Sequence, residues 1–158
     1  MCWRTRSITL LFATLLACAT AVLAGDTTLD QREQFILSEI NRIRVEQGLS
    51  QLRLNNKLCA MAISHSSDMA ESGNLSHTDS LGRDFRERLG SKPGERFHAG
   101  ENVATNSFPD SARVAVEGWR QSPEHLKNIL NQKFTETGIG VAVNPEGSVF
   151  VTQIFLGK

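Results

Sequence analysis

The chain is poor in cysteine: of three in 158 residues, Cys2 and Cys18 fall within the first 24, so the rest of the chain keeps Cys59 alone. A single thiol cannot close an internal disulfide, which excludes the cross-linked class of small exported domains. Charge of one sign is missing as well, with 17 Lys plus Arg against 17 Asp plus Glu. Nucleic-acid binding rests largely on phosphate neutralisation by many basic groups, so no nucleic-acid partner is expected. Beyond residue 24 no apolar run approaches the roughly 20 residues that a membrane-spanning helix needs, and no transmembrane span is expected in the mature chain. There is no internal repeat, no glycine-rich phosphate loop, no G-x-S-x-G elbow and no HExxH helix.

What is present begins with a targeting signal. Arg4 and Arg6 precede an apolar run from Ile8 to Ala19, and Val22-Leu23-Ala24 offers small residues for a signal peptidase. Residues 1–24 are therefore expected to be a signal peptide of bacterial type. The product would be secreted or periplasmic, with a formal charge of minus two once the two arginines are gone. Leu15-Leu16-Ala17-Cys18 supports an alternative, a lipoprotein anchored to the membrane through acylated Cys18. The 134 residues that follow Ala24 suffice for one core and are too few for two.

Apolar residues at helical spacing predict a first helix over Thr28–Gln47, capped by Asp26, Thr27 or Thr28 and ended by Gly48. A short alternation at Leu52-Arg53-Leu54 precedes a second helix from Asn55 or Asn56 to about Glu71, with Gly73 as its stop. It buries Leu58, Met61, Ala62, His65 and Met69, and Cys59 beside that stripe reads as a buried small hydrophobe and no nucleophile. Arg83–Leu89 reads as a third, short helix, Ser91–Phe97 as a loop, and Gly100 with Asn102 as a tight passage. A helix over Asp110–Gln121 buries Trp119, and Pro123 opens another, where its missing amide is harmless. Ile139–Val143 and Ser148–Phe155 then form an antiparallel pair across Asn144-Pro145-Glu146-Gly147.

The chemistry-bearing groups sit in polar segments between these elements: His77, His98, Glu101 and His125. Neutral imidazole and carboxylate are the ligand types that zinc accepts, but the separations carry no local geometry and leave a metal site and a hydrated polar cleft both open. His65 reads as a hydrogen-bonded core residue, Asp79 as a loop cap, Arg88 and Asn128 as structural donors, and Ser122 as the residue before a helix-starting proline.

Longer motifs run in order from about Gln34 to the end of the chain. They are Asn41-x-x-Arg44, Leu52-x-Leu54-Asn55, His65-x-x-Asp68-Met69-Ala70, Ser76-His77-Thr78-Asp79, Phe85-x-x-Arg88-Leu89, Gly100-Glu101-Asn102, Trp119-x-x-Ser122-Pro123-x-His125-x-x-Asn128-Ile129-Leu130, Phe134-Thr135-Glu136-x-Gly138 and Thr152-Gln153-x-Phe155. This pattern resembles the CAP superfamily of cysteine-rich secretory proteins, antigen 5 and pathogenesis-related 1 proteins, in its short bacterial SCP-domain branch. The resemblance implies one domain over residues 28–158 with an α+β fold, a three-layer α-β-α sandwich around a central antiparallel sheet. It also implies a cleft in which His77, Glu101 and His125 match two histidines and an acid that hold zinc or another divalent ion in some relatives, with His98 as a further candidate ligand.

The fourth group of that cleft, an acid shortly after the tryptophan, is absent, since Trp119 is followed by Arg120, Gln121 and Ser122. Any metal is therefore expected to bind weakly and to be lost between roughly pH 7 and pH 5.5, as imidazoles titrating near 6.5 take up protons. Gln121→Glu is the expected restoration. The function implied is an extracytoplasmic binding module, acting as a monomer, for a cell-wall fragment, peptide, lipid or protein. The alternative is a divalent-metal-dependent, peptidase-like hydrolase using His77, Glu101 and His125.

Overall fold

In a computed structural model the described residues are 30–90 and 97–157. The signal peptide, Cys18, the caps expected at Asp26 to Thr28 and most of the expected loop over Ser91–Phe97 lie outside them. The elements run α1 (Gln31–Glu46), β1 (Arg53–Leu54), α2 (Asn56–Ser72), α3 (Phe85–Arg88), β2 (His98–Asn106), α4 (Ser111–Gln121), α5 (Pro123–Ile129), β3 (Glu136–Val143) and β4 (Val149–Gly157). The strands form one sheet in the order β1-β3-β4-β2. The expected hairpin is present as the antiparallel β3–β4 pair, with β2 antiparallel along the other side of β4. The sheet is mixed, because β1 pairs parallel to β3.

Local chemistry sets the ends of the helices. Asp30 caps α1 in a reciprocal box with Glu33. Asn55 accepts the first amides of α2, and Gly73, at φ 66°, ends it in the left-handed conformation that glycine adopts without a Cβ penalty. The third helix is shorter than Arg83–Leu89 because Asp79 Oδ1 accepts the backbone N–H of both Leu81 and Arg83, holding that stretch in a turn. Asp84 then opens α3 with its own capping box. Residues 98–106, read partly as a passage, are a nine-residue strand; its small and polar residues are held by their register with β4.

Helices cover both faces of the sheet, as a layered sandwich requires. Odd-numbered residues of β3 and β4, including Ile139, Val141, Val151 and Phe155, join Ile36 and Ile40 of α1 and Trp119 of α4 in the main core. The strands alternate sides, so even-numbered residues meet α2: Ala142 and Phe150 pack on Met69, and Ile154 on Leu58 and Ala62. Gly138 and Gly140 make that contact unusually close, since a Cβ on either would stand 2.1 Å from the α2 backbone, at Leu58 C and Ile63 N respectively. Cys59 is fully buried on α2, and burial pushes its thiol pKa up, as the hydrophobe reading requires.

Arg44 and Asn41 account for the first motif. Asn41 Nδ2 donates to Leu52 O, and its Oδ1 accepts from Leu52 N. Arg44 is buried and donates to the carbonyls of Ser50, Ile129, Asn131 and Phe134, stitching α1 to the segment after α5.

Candidate functional site

Glu101 stands in β2, an edge strand, with only 2% of its side chain exposed. A buried carboxylate is costly unless paired and hydrogen-bonded. Here Arg88 Nη2, on a side chain 7% exposed, donates to Oε2 at 2.8 Å and to Oε1 at 3.1 Å. The same Nη2 reaches the carbonyl of His77. His77 Nδ1–H donates to Oε1 at 2.8 Å, because a carboxylate can only accept, and this leaves Nε2 as the bare nitrogen on a ring whose side chain is 57% exposed. Arg88 thus ties α3 and the His77 segment to the sheet, the structural role that the sequence suggests, and Glu101 fixes the tautomer of His77 as carboxylates do around metal-ligating histidines.

The His77 segment is also held from α2. His65 is buried, and its Nε2–H donates to Ser76 O at 2.8 Å. Burial and the nearby Arg88 charge push the His65 pKa down, so the ring is neutral. Asp79, read as a loop cap, takes two backbone amides and the Arg83 guanidinium.

His125 approaches from α5. Asn128 Nδ2 donates to Glu101 O and to Asn102 Oδ1, and Asn102 Nδ2 donates to His125 O, so the Gly100-Glu101-Asn102 segment and α5 are laced together. Gly100 permits this approach, since a Cβ there would stand 2.8 Å from Asn128 Oδ1. The ring Nδ1 of His125 shares a 2.9 Å hydrogen bond with Ser122 Oγ. Burial, then the charge on His77, push the His125 pKa down against a smaller opposing effect of Glu124. The two imidazoles are therefore close enough to interact electrostatically. His98 opens β2 in an exposed position, and the alternation of the strand turns it to the face opposite Glu101.

Two positions near the expected fourth acid trade roles. Gln121 is exposed and donates to Glu117, a carboxylate held down at about 2 by Arg120 and Gln121. Ser122 is the residue whose side chain meets His125, a contact that sequence reasoning missed. Its only signal was a serine three residues before a histidine at a helix start; Ser122 makes no side-chain cap there, so its hydroxyl is free for the ring.

The donor set can be tested against a divalent ion. Arg88 engages both oxygens of Glu101 and His77 engages one, so the carboxylate already carries a full cation beside it. Two imidazoles without a free acid do not supply the three protein ligands of a catalytic zinc. Among the described residues, no group of three or more His, Cys, Asp or Glu side chains is disposed to hold a metal. As arranged, these side chains do not fit a resident zinc. No described helix is long and apolar enough to cross a membrane.

Comparison with known proteins gives one consistent answer. The model of the CAP, or cysteine-rich secretory protein, family matches residues 37–155. The chain is 38% identical over 109 residues to the uncharacterized membrane protein YlbC of Bacillus subtilis, covering 69% of this chain and 31% of that protein. It is 32% identical over 127 residues to the uncharacterized protein YkwD of the same organism, covering 80% of this chain and 47% of YkwD. A crystal structure of an extracellular protein containing an SCP domain from Bacillus anthracis superposes with a TM-score of 0.68 at 33% identity, over 80% of this chain and 40% of that one. The chain thus spans less than half the length of these relatives. With a family model covering most of its length and a fold shared with a solved SCP domain, the chain belongs to the CAP family.

Proposed function

We propose that the protein is an extracytoplasmic binding module, whose cleft recognises a polar group with the outward nitrogen of His77 and with His125. The observation that carries this reading is the locked state of Glu101, buried and bonded by both Arg88 and His77. A general base for hydrolysis must be able to reach and accept a proton from water. Glu101 instead orients His77, so the cleft offers fixed hydrogen-bonding groups. The extracellular SCP protein of Bacillus anthracis supports placement outside the cytoplasm, as does the signal-like run before residue 25. A wall fragment, peptide, lipid headgroup or protein loop could supply the ligand.

The test uses tag-free protein. Its imidazole resonances are followed by NMR during titration with soluble peptidoglycan fragments and with a mixed peptide library, beside an assay for peptide hydrolysis. Saturable shifts at His77 and His125, lost in His77→Ala and in His125→Ala, are the expected result. Turnover abolished by chelator and by Glu101→Gln would replace the binding reading with the metal-dependent hydrolase using His77, Glu101 and His125.

A further inference from the structure

Strand β2 ends the sheet order, so its far side has no neighbouring strand. The hydrogen-bond pattern fixes which backbone groups face that free edge. Thr135 N–H donates to Leu156 O, so even-numbered residues of β4 turn their backbone groups to β3 and odd-numbered ones turn theirs to β2. The partners of those odd-numbered residues are residues 100, 102, 104 and 106 of β2. Glu101, Val103 and Thr105 therefore turn their N–H and C=O outward. Two side chains from outside the sheet agree with this, since Asn128 Nδ2 donates to Glu101 O and Trp119 Nε1 donates to Val103 O. Among the described residues, nothing is bonded to the outward N–H of Val103 or to the outward N–H and C=O of Thr105. Free edges are usually blunted by lysine, proline or a bulge. Val103-Ala104-Thr105-Asn106 has no charge and no proline, and its register with β4 is unbroken.

The same edge borders a groove of about 310 Å³, lined by residues 103–106, by Gly118 and Trp119 of α4, by Leu75 and by His125. Among the described residues, no Asp, Glu, Lys or Arg lines it. Gly118 is exposed inside a helix, where glycine is less favourable than alanine. A Cβ there would meet nothing within 4 Å, so packing within the protein does not require the glycine, and its missing side chain keeps the groove open. Backbone donors and acceptors repeating at every second residue are matched by another extended backbone, and an uncharged lining suits a neutral segment. A lone strand can enter beside Leu75 and α4, whereas β2 of a second copy would bring its own Leu75 and α4 against them.

We propose that the outer edge of β2 takes an extended peptide segment as an added strand, hydrogen-bonded to Val103 N–H and to Thr105 N–H and C=O, and lying in the groove that reaches His125. This deepens the binding reading above and rests on it, by naming the cleft's ligand as a neutral stretch of polypeptide.

The test follows backbone amides and imidazoles of the labelled protein by NMR during titration with acetyl-Ser-Val-Ser-Val-Ser-amide, and with two forms of that peptide N-methylated at the central serine or at the second valine. The unmodified peptide should give saturable shifts of the Val103 and Thr105 amides, with a millimolar Kd, and should slow hydrogen exchange at both. Adjacent residues of a strand turn their N–H groups opposite ways, so one N-methyl group should weaken binding at least about fivefold, the value of one hydrogen bond, and the other should not. Gly118→Leu fills the groove from a helical position and should abolish the shifts without lowering the thermal midpoint. Edge shifts with silent His77 and His125 imidazoles would uphold strand pairing and overturn the polar-cleft reading. Imidazole shifts with silent edge amides would do the reverse. No saturable shift at Val103 and Thr105, equal effects of the two N-methyl groups, shifts that persist in Gly118→Leu, or edge shifts that arise on raising protein concentration without peptide, the sign of a second copy, would each overturn the proposal.

Discussion

The two faces of the sheet are built by different means. Under α1, α4 and α5 the protein fills space with large side chains, with Ile36, Ile40, Trp119 and Phe155 among them. Under α2 it removes side chains: Gly138 and Gly140 let the helix backbone rest on the strand, and Ser66 Oγ donates within that contact to Gly140 O or Thr152 Oγ1. The first face draws stability from volume, the second from close approach and satisfied polar groups. The difference matters because Glu101, His77, His65 and Arg88 all belong to the second side, where buried polar groups are arranged by hydrogen bonds.

The comparison can be broken most forcefully on the volume side. Trp119 is buried and its Nε1–H donates to Val103 O; Trp119→Ala should cost about 3 to 5 kcal/mol in urea unfolding. Arg44 is the exception within that face, a buried cation serving four carbonyls. Arg44→Met keeps the bulk and strands those acceptors, and should cost roughly 3 kcal/mol. On the other face Gly140→Ala adds one methyl group against Ile63 N, which is backbone and cannot swing aside. It should cost about 1 to 3 kcal/mol as overpacking, and a neutral result would refute the close-approach account of α2.

Smaller effects sharpen the polar side. His125→Ala should cost under about 1 kcal/mol, because it trims a half-buried cleft residue away from either core. Burial depresses the pKa of His65, and the folded form therefore resists protonation. The unfolded ring titrates near 6.5. Its stabilising contribution is present above that value and is lost as pH falls from there through the lower folded pKa, because the unfolded chain takes up the proton first. His125, shifted in the same direction, adds to the slope. Urea midpoints taken at about pH 7.5, 6 and 5 should decline, and His65→Gln should flatten the decline.

Much of this architecture was legible in the sequence where a local rule decides it: the Asn55 cap and Gly73 stop of α2, proline at the start of α5, and the turn of the β3–β4 hairpin. β2 was less legible, because His98-Ala99-Gly100-Glu101-Asn102 is polar and small, and only pairing with β4 makes it a strand. The parallel pairing of β1 likewise depends on a partner some 80 residues away. For the site, the sequence singled out His77, Glu101 and His125 as candidates and read Arg88 as a structural tie. That Arg88 takes both oxygens of Glu101, and that Ser122 in place of Gln121 meets His125, are tertiary facts with no periodic signature.

The central claim is that Glu101 is an orienting group locked by Arg88 and does not act as a ligand. Calorimetric titration of tag-free protein with zinc at neutral pH tests it directly, with Ser122→Glu and Gln121→Glu measured alongside. The account predicts no tight stoichiometric binding to the wild-type protein, a gain in Ser122→Glu, whose new carboxylate would stand at the His125 ring, and none in Gln121→Glu, whose side chain lies out on the surface with Glu117. Tight binding of one equivalent by the wild-type protein, lost in His77→Ala, in His125→Ala and in Glu101→Gln, would contradict it.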